Sequence, residues 1–253
     1  MSHEPVPPNT ARTPTLSVIV PAYREANTIQ EALSRLTEAL DATERDYEVI
    51  VVSDGNVDGT ELRAIEFGHE RVSVLDYASN RGKGFAIRHG ASSACGQLVV
   101  FIDADLDIHP DGVEPLIQLL ERTPADVVVA SKVHPASTVF YPMFRRFQSG
   151  VLRQIVRRLF ALSVADTQTG LKVFRADVLH TCLPHVTSEG YAFDLELLVL
   201  ASDHGYTLVE GPLDLDFNFS STTGARAIGE VVRELARLHR RRRAGLRDGT
   251  WLS

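Results

Sequence analysis

The chain is 253 residues long, 44% hydrophobic and 23% charged, with a formal net charge of −7, the make-up of a globular protein with a sizeable core. Two cysteines, Cys95 and Cys182, lie far apart without a CxxC neighbour, which fits a reducing compartment better than a disulfide framework. No apolar run approaches the ~18 residues that a membrane span requires.

The opening residues lack the basic-then-apolar layout of a signal peptide, so residues 1–14 are expected as a disordered tail and the protein as cytoplasmic. "LSVIVPAY" then reads as a strand, and "NTIQEALSRLTEAL" as a helix opened by Asn27 with Gln30 in a capping-box position. "YEVIVVSD" is a second strand, followed by turn chemistry and a short helix near "GTELRAIEF". "RVSVLDY" is a third, leading through "NRGKG" into a helix around "FAIRHGASSA". "QLVVFIDAD" and "DVVVASK" are a fourth and a fifth, separated by the helix of "DGVEPLIQLLERT". Val- and Ile-rich runs alternating with helices predict an α/β fold, a mostly parallel sheet with helices on both faces. In such sheets ligands gather outside the carboxyl ends of the strands, where "PAYRE", "SDGNVDGT" and "DADLD" fall.

The second half is less regular. Residues 143–160 have helical spacing, with Phe144, Phe147, Val151, Ile155 and Leu159 as one stripe and Arg146, Arg153 and Arg157 opposite. "FDLELLVLAS" predicts a helix, "TLVEGPLDLDFNF" a strand, and "IGEVVRELARLHRRRR" a closing basic helix. The organisation expected is one domain over 15–232 and a basic helix or tail over 233–253. Charge is uneven: Met143 to Phe160 holds five arginines and no acid, and Arg233 to Arg247 seven arginines against one glutamate. Such clustering in an acidic protein points to an anionic partner at one face.

Asp103, Asp105 and Asp107 alternate where an apolar run ends. If the strand persists, all three carboxylates share a face and raise one another's pKa unless a cation intervenes. Oxygen ligands suit Mg²⁺ or Mn²⁺, and Mg²⁺ favours one or two carboxylates completed by phosphate. The plain alternative is a solvated acidic turn before the next helix.

Taken together, "VIVPAYREA", "VIVVSDGNVDGT", "NRGKG", "VVFIDADLD", "DTQTGLKVFR" and "GYAFDLELL" resemble the inverting family 2 glycosyltransferases, and within them the dolichyl- or polyprenyl-phosphate hexose synthases. The resemblance runs from about Leu16 to Asp216. It implies the GT-A fold and an Asp-x-Asp pair, Asp103 and Asp105, holding a divalent metal on the diphosphate of a sugar nucleotide. Pro21, Ala22, Tyr23 and Glu25 would shape the nucleotide pocket, with Asp103, Ala104 and Lys83 beside the nucleotide. Asp54 would accept a hydrogen bond from the base. For Asp54 and Asp58, turn formation accounts equally for an aspartate there. Asp107 stands where relatives often carry Gln, as a third metal ligand. Ser53 departs from the usual "DDGS", which leaves GDP-mannose and UDP-glucose both open as donor.

The resemblance places the acceptor phosphate at Lys132, Arg145 and Arg146, residues that otherwise solvate a loop and an amphipathic helix; His134 reads as surface loop. It also brings "FDLELL" near the acceptor. Asp194 and Glu196, two apart on a helix, cannot share a face, so one is expected in the cleft. A hydroxyl acceptor would need such a carboxylate as base, whereas a phosphate monoester, with a second pKa of about 6, would not. With no span in view, a lipid acceptor would be met at an anionic membrane surface by the 143–160 helix and the Arg233–Arg247 segment. A separate membrane-anchored partner protein is left open. Two rival readings are a soluble or protein-bound hydroxyl acceptor, and a non-catalytic module binding nucleic acid through its arginines, for which no recognised motif is present.

Overall fold

A computed structural model describes residues 14–105, 107–139, 153–190, 192–215 and 225–252. The strands of the first half form where β-branched residues run together: β1 (Leu16–Ala22), β2 (Tyr47–Asp54), β3 (Val72–Tyr77), β4 (Leu98–Phe101) and β5 (Val127–Ala130). Between them lie helices α1 (Ile29–Asp41), α2 (Thr60–Glu66), α3 (Lys83–Ala91) and α4 (Val113–Arg122), the last entered through a 3-10 turn at Pro110–Gly112. Further on come β6 (Thr138–Val139), the helical residues 153–160 (α5), β7 (Lys172–Arg175), α6 (Ala176–Cys182), α7 (Phe193–Asp203), β8 (Leu208–Gly211), β9 (Asp214–Leu215) and α8 (Ala225–Asp248).

Seven strands form one sheet in the order β3-β2-β1-β4-β7-β5-β8, and β6 pairs with β9 in a two-stranded sheet. Every pairing in the large sheet is parallel except those of β7, which runs antiparallel to β4 and β5. The expected mostly parallel α/β architecture is therefore present. Both faces are covered, because alternate residues of one strand enter opposite cores: Ile19 packs beneath α3 and α7, and Val18 and Val20 beneath α1 and α4.

Several details differ from the sequence reading. The helix expected from Asn27 begins at Ile29 with Thr28 at its N-cap, and no side chain caps it. Gln30 instead donates to the Arg63 carbonyl at 3.0 Å, while the Thr28 hydroxyl bonds to Glu25. β7 was not foreseen; four residues, two of them charged, give too short a pattern to stand out from loop. In α5 the inward side chains are Val156 and Phe160, whereas Ile155 is exposed, so the inner stripe is rotated from the one expected through Ile155. Phe144, Phe147 and Val151, also placed on that stripe, lie outside the described residues, as do Arg145 and Arg146.

The C-terminal segment does not hang off the domain. α8 runs unbroken across the boundary expected at 232/233, and its Leu235 and Leu238, with Trp251 beyond it, are buried in the core beside α7. Arg242 makes a two-pronged ion pair with Asp203 at 2.6 Å, and the Trp251 indole donates to the same carboxylate at 2.8 Å. Both cysteines are free thiols, Cys95 exposed and Cys182 buried. Among the described residues, no helix is long and apolar enough to cross a membrane.

Candidate functional site

The carboxyl ends of β1, β2 and β4 meet along one rim. β7 runs the other way and sits between β4 and β5, so its first residue arrives at that rim: Lys172 lies opposite Phe101 of β4 and Val129 of β5. Beside it α3 starts at Lys83 and α7 at Phe193.

Four charged side chains form a chain from this core to the rim. The buried Lys172 Nζ is 2.7 Å from Asp194 Oδ1 and donates to the Thr169 carbonyl at 2.5 Å. Lys83 Nζ is 3.8 Å from Asp194 Oδ2 and 2.6 Å from Asp103 Oδ1. Burial disfavours the charge on Asp194, yet Lys172 and Lys83 outweigh it and hold the carboxyl below its usual range. Burial likewise works against Lys83, but Asp103 and Asp194 keep its ammonium above its usual range. For Lys172 burial wins, with Lys83 adding to it, and the pKa falls. Lys172 went unremarked in the sequence, although it shares a strand face with Phe174, and a lysine on the face of a buried Phe signals an internal partner.

β4 ends at Phe101, and the chain turns through residues 104–105 instead of continuing extended. The alternation that was to put Asp103, Asp105 and Asp107 on one strand face is therefore absent. The Asp107 backbone N–H donates to Asp105 Oδ1 at 3.1 Å, which folds the segment back on itself. Among the described residues no three His, Cys, Asp or Glu side chains are gathered as a ready metal site. Desolvation in the cleft, followed by the charges of Asp103 and Asp107, pushes Asp105 up to about 6 even though its side chain reaches solvent. Asp105 has no cationic partner among the described residues. Two carboxylates at the rim, one carrying uncompensated negative charge, fit a divalent cation that takes its other oxygens from a diphosphate. Asp103 and Asp105 are the residues that would hold it.

Asp103 is fixed by its neighbours. A Cβ on Gly170 would come within 2.1 Å of Asp103 Oδ2, so the glycine of "DTQTG" is required by the carboxylate lying against it. Asp54 is committed elsewhere than expected. Its two oxygens accept from the Tyr77 hydroxyl at 2.9 Å, Asn80 Nδ2 at 2.9 Å, and the backbone N–H groups of Arg81 and Gly82 at 2.7 and 2.9 Å. Four donors leave it no lone pair well placed for a base, so its geometry favours shaping the 80–82 loop that delivers Lys83. Gly82 itself has φ +89°, and any Cβ there would meet the Glu189 carbonyl at 2.8 Å. Asp58 is a turn former, accepting from Thr60 and from the Ala26 N–H.

Of the other expected nucleotide-site residues, Ala22 and Ala104 are buried, Pro21 and Glu25 half-buried, and Tyr23 exposed with Arg24 over its ring. Glu196, one of the two candidate bases, turns away from the rim. It is fully buried and accepts from the Thr187 and Ser188 N–H groups at 3.1 and 2.8 Å and from Arg241 of α8. Asp194 and Glu196 thus point to different places, as their spacing predicts. Lys132 stands just past β5; its N–H donates to Asp166 at 2.9 Å, and its ammonium has no partner among the described residues. His134 accepts from the Ala136 N–H within the same surface turn.

Residues 17–183 match the Glycosyl transferase family 2 model. The chain is 34% identical over 204 residues to a dolichyl-phosphate beta-glucosyltransferase of Drosophila melanogaster, covering 74% of this chain and 63% of the relative. It is 28% identical over 222 residues to the enzyme of the same name from Saccharomyces cerevisiae, covering 78% and 66%. A dolichol-phosphate mannosyltransferase of Mycosarcoma maydis matches at 27% over 241 residues, 92% of this chain and 81% of that one. The chain thus spans about two thirds of the length of the two glucosyltransferases. Among solved structures, glucosyl-3-phosphoglycerate synthase from Mycobacterium tuberculosis in complex with Mn²⁺, UDP-glucose and phosphoglyceric acid superimposes with a TM-score of 0.70 at 23% identity, covering 89% of this chain and 78% of that one. This likeness establishes a shared GT-A fold. The chain belongs to glycosyl transferase family 2.

Proposed function

We propose that the protein is a metal-dependent inverting hexosyltransferase that moves a sugar from a nucleotide-diphospho-sugar, UDP-glucose or GDP-mannose, to a polyprenyl phosphate. The observation that carries this reading is the state of Asp194. Its carboxylate is already claimed by Lys172 and Lys83, and Glu196 faces the other way, so neither of these two α7 carboxylates is free to take a proton from a hydroxyl; the third, Asp203, is paired with Arg242. A phosphate monoester arrives largely ionised, with a second pKa of about 6, and needs no such base. The names of the curated relatives, which act on dolichyl phosphate or dolichol phosphate, support the same acceptor class.

A bound Mg²⁺ or Mn²⁺ would supply charge stabilisation to the departing diphosphate. Asp103 and Asp105 would hold that ion, and Lys83 would lie beside the diphosphate. Lys132, whose ammonium stands past β5, would offset the charge of the incoming phosphate, with Arg145 and Arg146 as its proposed companions. A lipid acceptor also requires the protein to reach a bilayer. Arg237, Arg240, Arg243 and Arg247 are exposed along one side of α8, and exposed Leu246 and Leu252 lie at its end. Such a surface suits peripheral docking on anionic lipid, each basic residue contributing about 1 kcal/mol near the membrane.

The test is a donor screen with Mg²⁺ or Mn²⁺, with and without a short polyprenyl phosphate, and with mass analysis of the product. Transfer is expected only when lipid phosphate is present, and to be lost in Asp105→Ala. Equal transfer to a simple hydroxyl acceptor would replace this reading with a hydroxyl-acceptor enzyme.

A further inference from the structure

The chain Lys172–Asp194–Lys83–Asp103 balances two cations against two anions, and only its outer end reaches the rim. Lys83 has two acids within reach, at 2.6 Å on Asp103 and 3.8 Å on Asp194. Where its ammonium rests depends on how fully Asp194 is satisfied by its other partner. That partner is Lys172, which is 1% exposed and whose Nζ bonds, among the described residues, to Asp194 and the Thr169 carbonyl. Nothing in packing calls for a lysine there, since its strand neighbours Phe101 and Val129 are apolar and buried.

We propose that Lys172 is a positioning residue which, by occupying Asp194, keeps Lys83 on Asp103 and so guards the metal site against a cation arriving without donor. When a donor diphosphate enters, Lys83 transfers to it and Asp103 is freed for the ion, so metal and sugar nucleotide load together. This rests on the reading of Asp103 and Asp105 as the metal pair and of Lys83 as a neighbour of the diphosphate. Removing the Lys172 charge leaves Asp194 short of a cation, draws Lys83 inward, and bares Asp103.

The prediction runs opposite to ordinary damage. Lys172→Met, in the full-length protein, takes up Mn²⁺ alone at least about threefold more tightly than wild type by titration calorimetry, as a coupled pair allows. The extra tightening of Mn²⁺ that UDP or GDP brings to wild type shrinks correspondingly. Lys172→Met with Asp194→Asn removes the buried pair as a unit, leaves Lys83 only Asp103, and binds Mn²⁺ alone more weakly than wild type. A folded Lys172→Met with unchanged or weaker Mn²⁺ uptake overturns the proposal. Should that variant not fold, the double variant decides: Mn²⁺ affinity no weaker than wild type overturns it. Wild-type protein that takes up no Mn²⁺, even beside UDP or GDP, overturns the metal reading and this inference with it. Wild-type uptake with no response to the Lys172 change overturns the inference alone.

Discussion

Two small features hold the rim to tolerances of a fraction of an ångström. Gly170 presents bare backbone to Asp103, and a single methyl there would sit 2.1 Å from the carboxylate oxygen. Gly170→Ala is therefore expected to shift Asp103 while leaving the buried sheet in place. A misplacement of that order costs about 100-fold in rate, read as loss of sugar transfer with little change in thermal midpoint. Asp54 is the other feature, its two oxygens accepting from four donors that shape the 77–82 segment. Asp54→Asn puts an amide where two of those donors point and leaves them unanswered. A loss of about 1–3 kcal/mol in urea unfolding is expected, together with weaker nucleotide binding through the loosened Lys83 loop. If stability is unchanged, the carboxylate is free for ligand after all.

At the scale of elements, long-range ion pairs fix how the helices sit on the sheet. Arg45, just past α1, is clamped between Glu114 and Glu121 of α4 at 2.7 and 2.9 Å. Partial burial works against the Glu114 charge, but the Arg45 and Gln118 bonds prevail and hold the carboxyl below its ordinary range. The sign follows: an acid with a depressed folded pKa adds stability above its unfolded value, about 4.3, and loses it as pH falls through the folded one. Wild type should thus exceed Arg45→Met in urea midpoint at pH 7, and the gap should narrow as pH drops below about 4. A gap constant from pH 7 to pH 3 would mean that Arg45 acts through packing alone. The same scale shows where local signals misled. Asn27 and Gln30 match a capping pattern, yet Thr28 bonds to Glu25 and Gln30 reaches the end of α2, because contacts with α2 outcompete a local cap.

For the whole molecule, α8 joins the fold to its proposed surroundings. Its inner side is spent on structure: Arg241 on Glu196, Arg242 on Asp203, Leu235 and Leu238 in the core. Asp203→Ala would strand both Arg242 and the Trp251 indole, and a loss of about 1.5–3 kcal/mol in unfolding free energy is expected. The outer side keeps Arg237, Arg240, Arg243 and Arg247 exposed. Arg240→Glu with Arg243→Glu should weaken sedimentation with anionic vesicles at low salt, without altering the thermal midpoint. Unchanged vesicle binding would move the docking surface elsewhere.

The order of strands and helices in the first half, the rim where polar segments collect, and the divergence of Asp194 from Glu196 were legible in the sequence. Each follows from periodicity or from strand-end chemistry, which are local properties of the chain. What only the tertiary structure decided was who answers whom. Lys172 goes unremarked in the sequence until β7 is seen to run antiparallel and bring it to Asp194. Asp54 reads equally as a base contact or a turn former, and only the fold brings four donors onto it; the arginines of α8 read as one anion-facing cluster until two of them find acids on α7. Charge pairing between residues dozens of positions apart depends on distance in space, and a linear pattern carries no record of it.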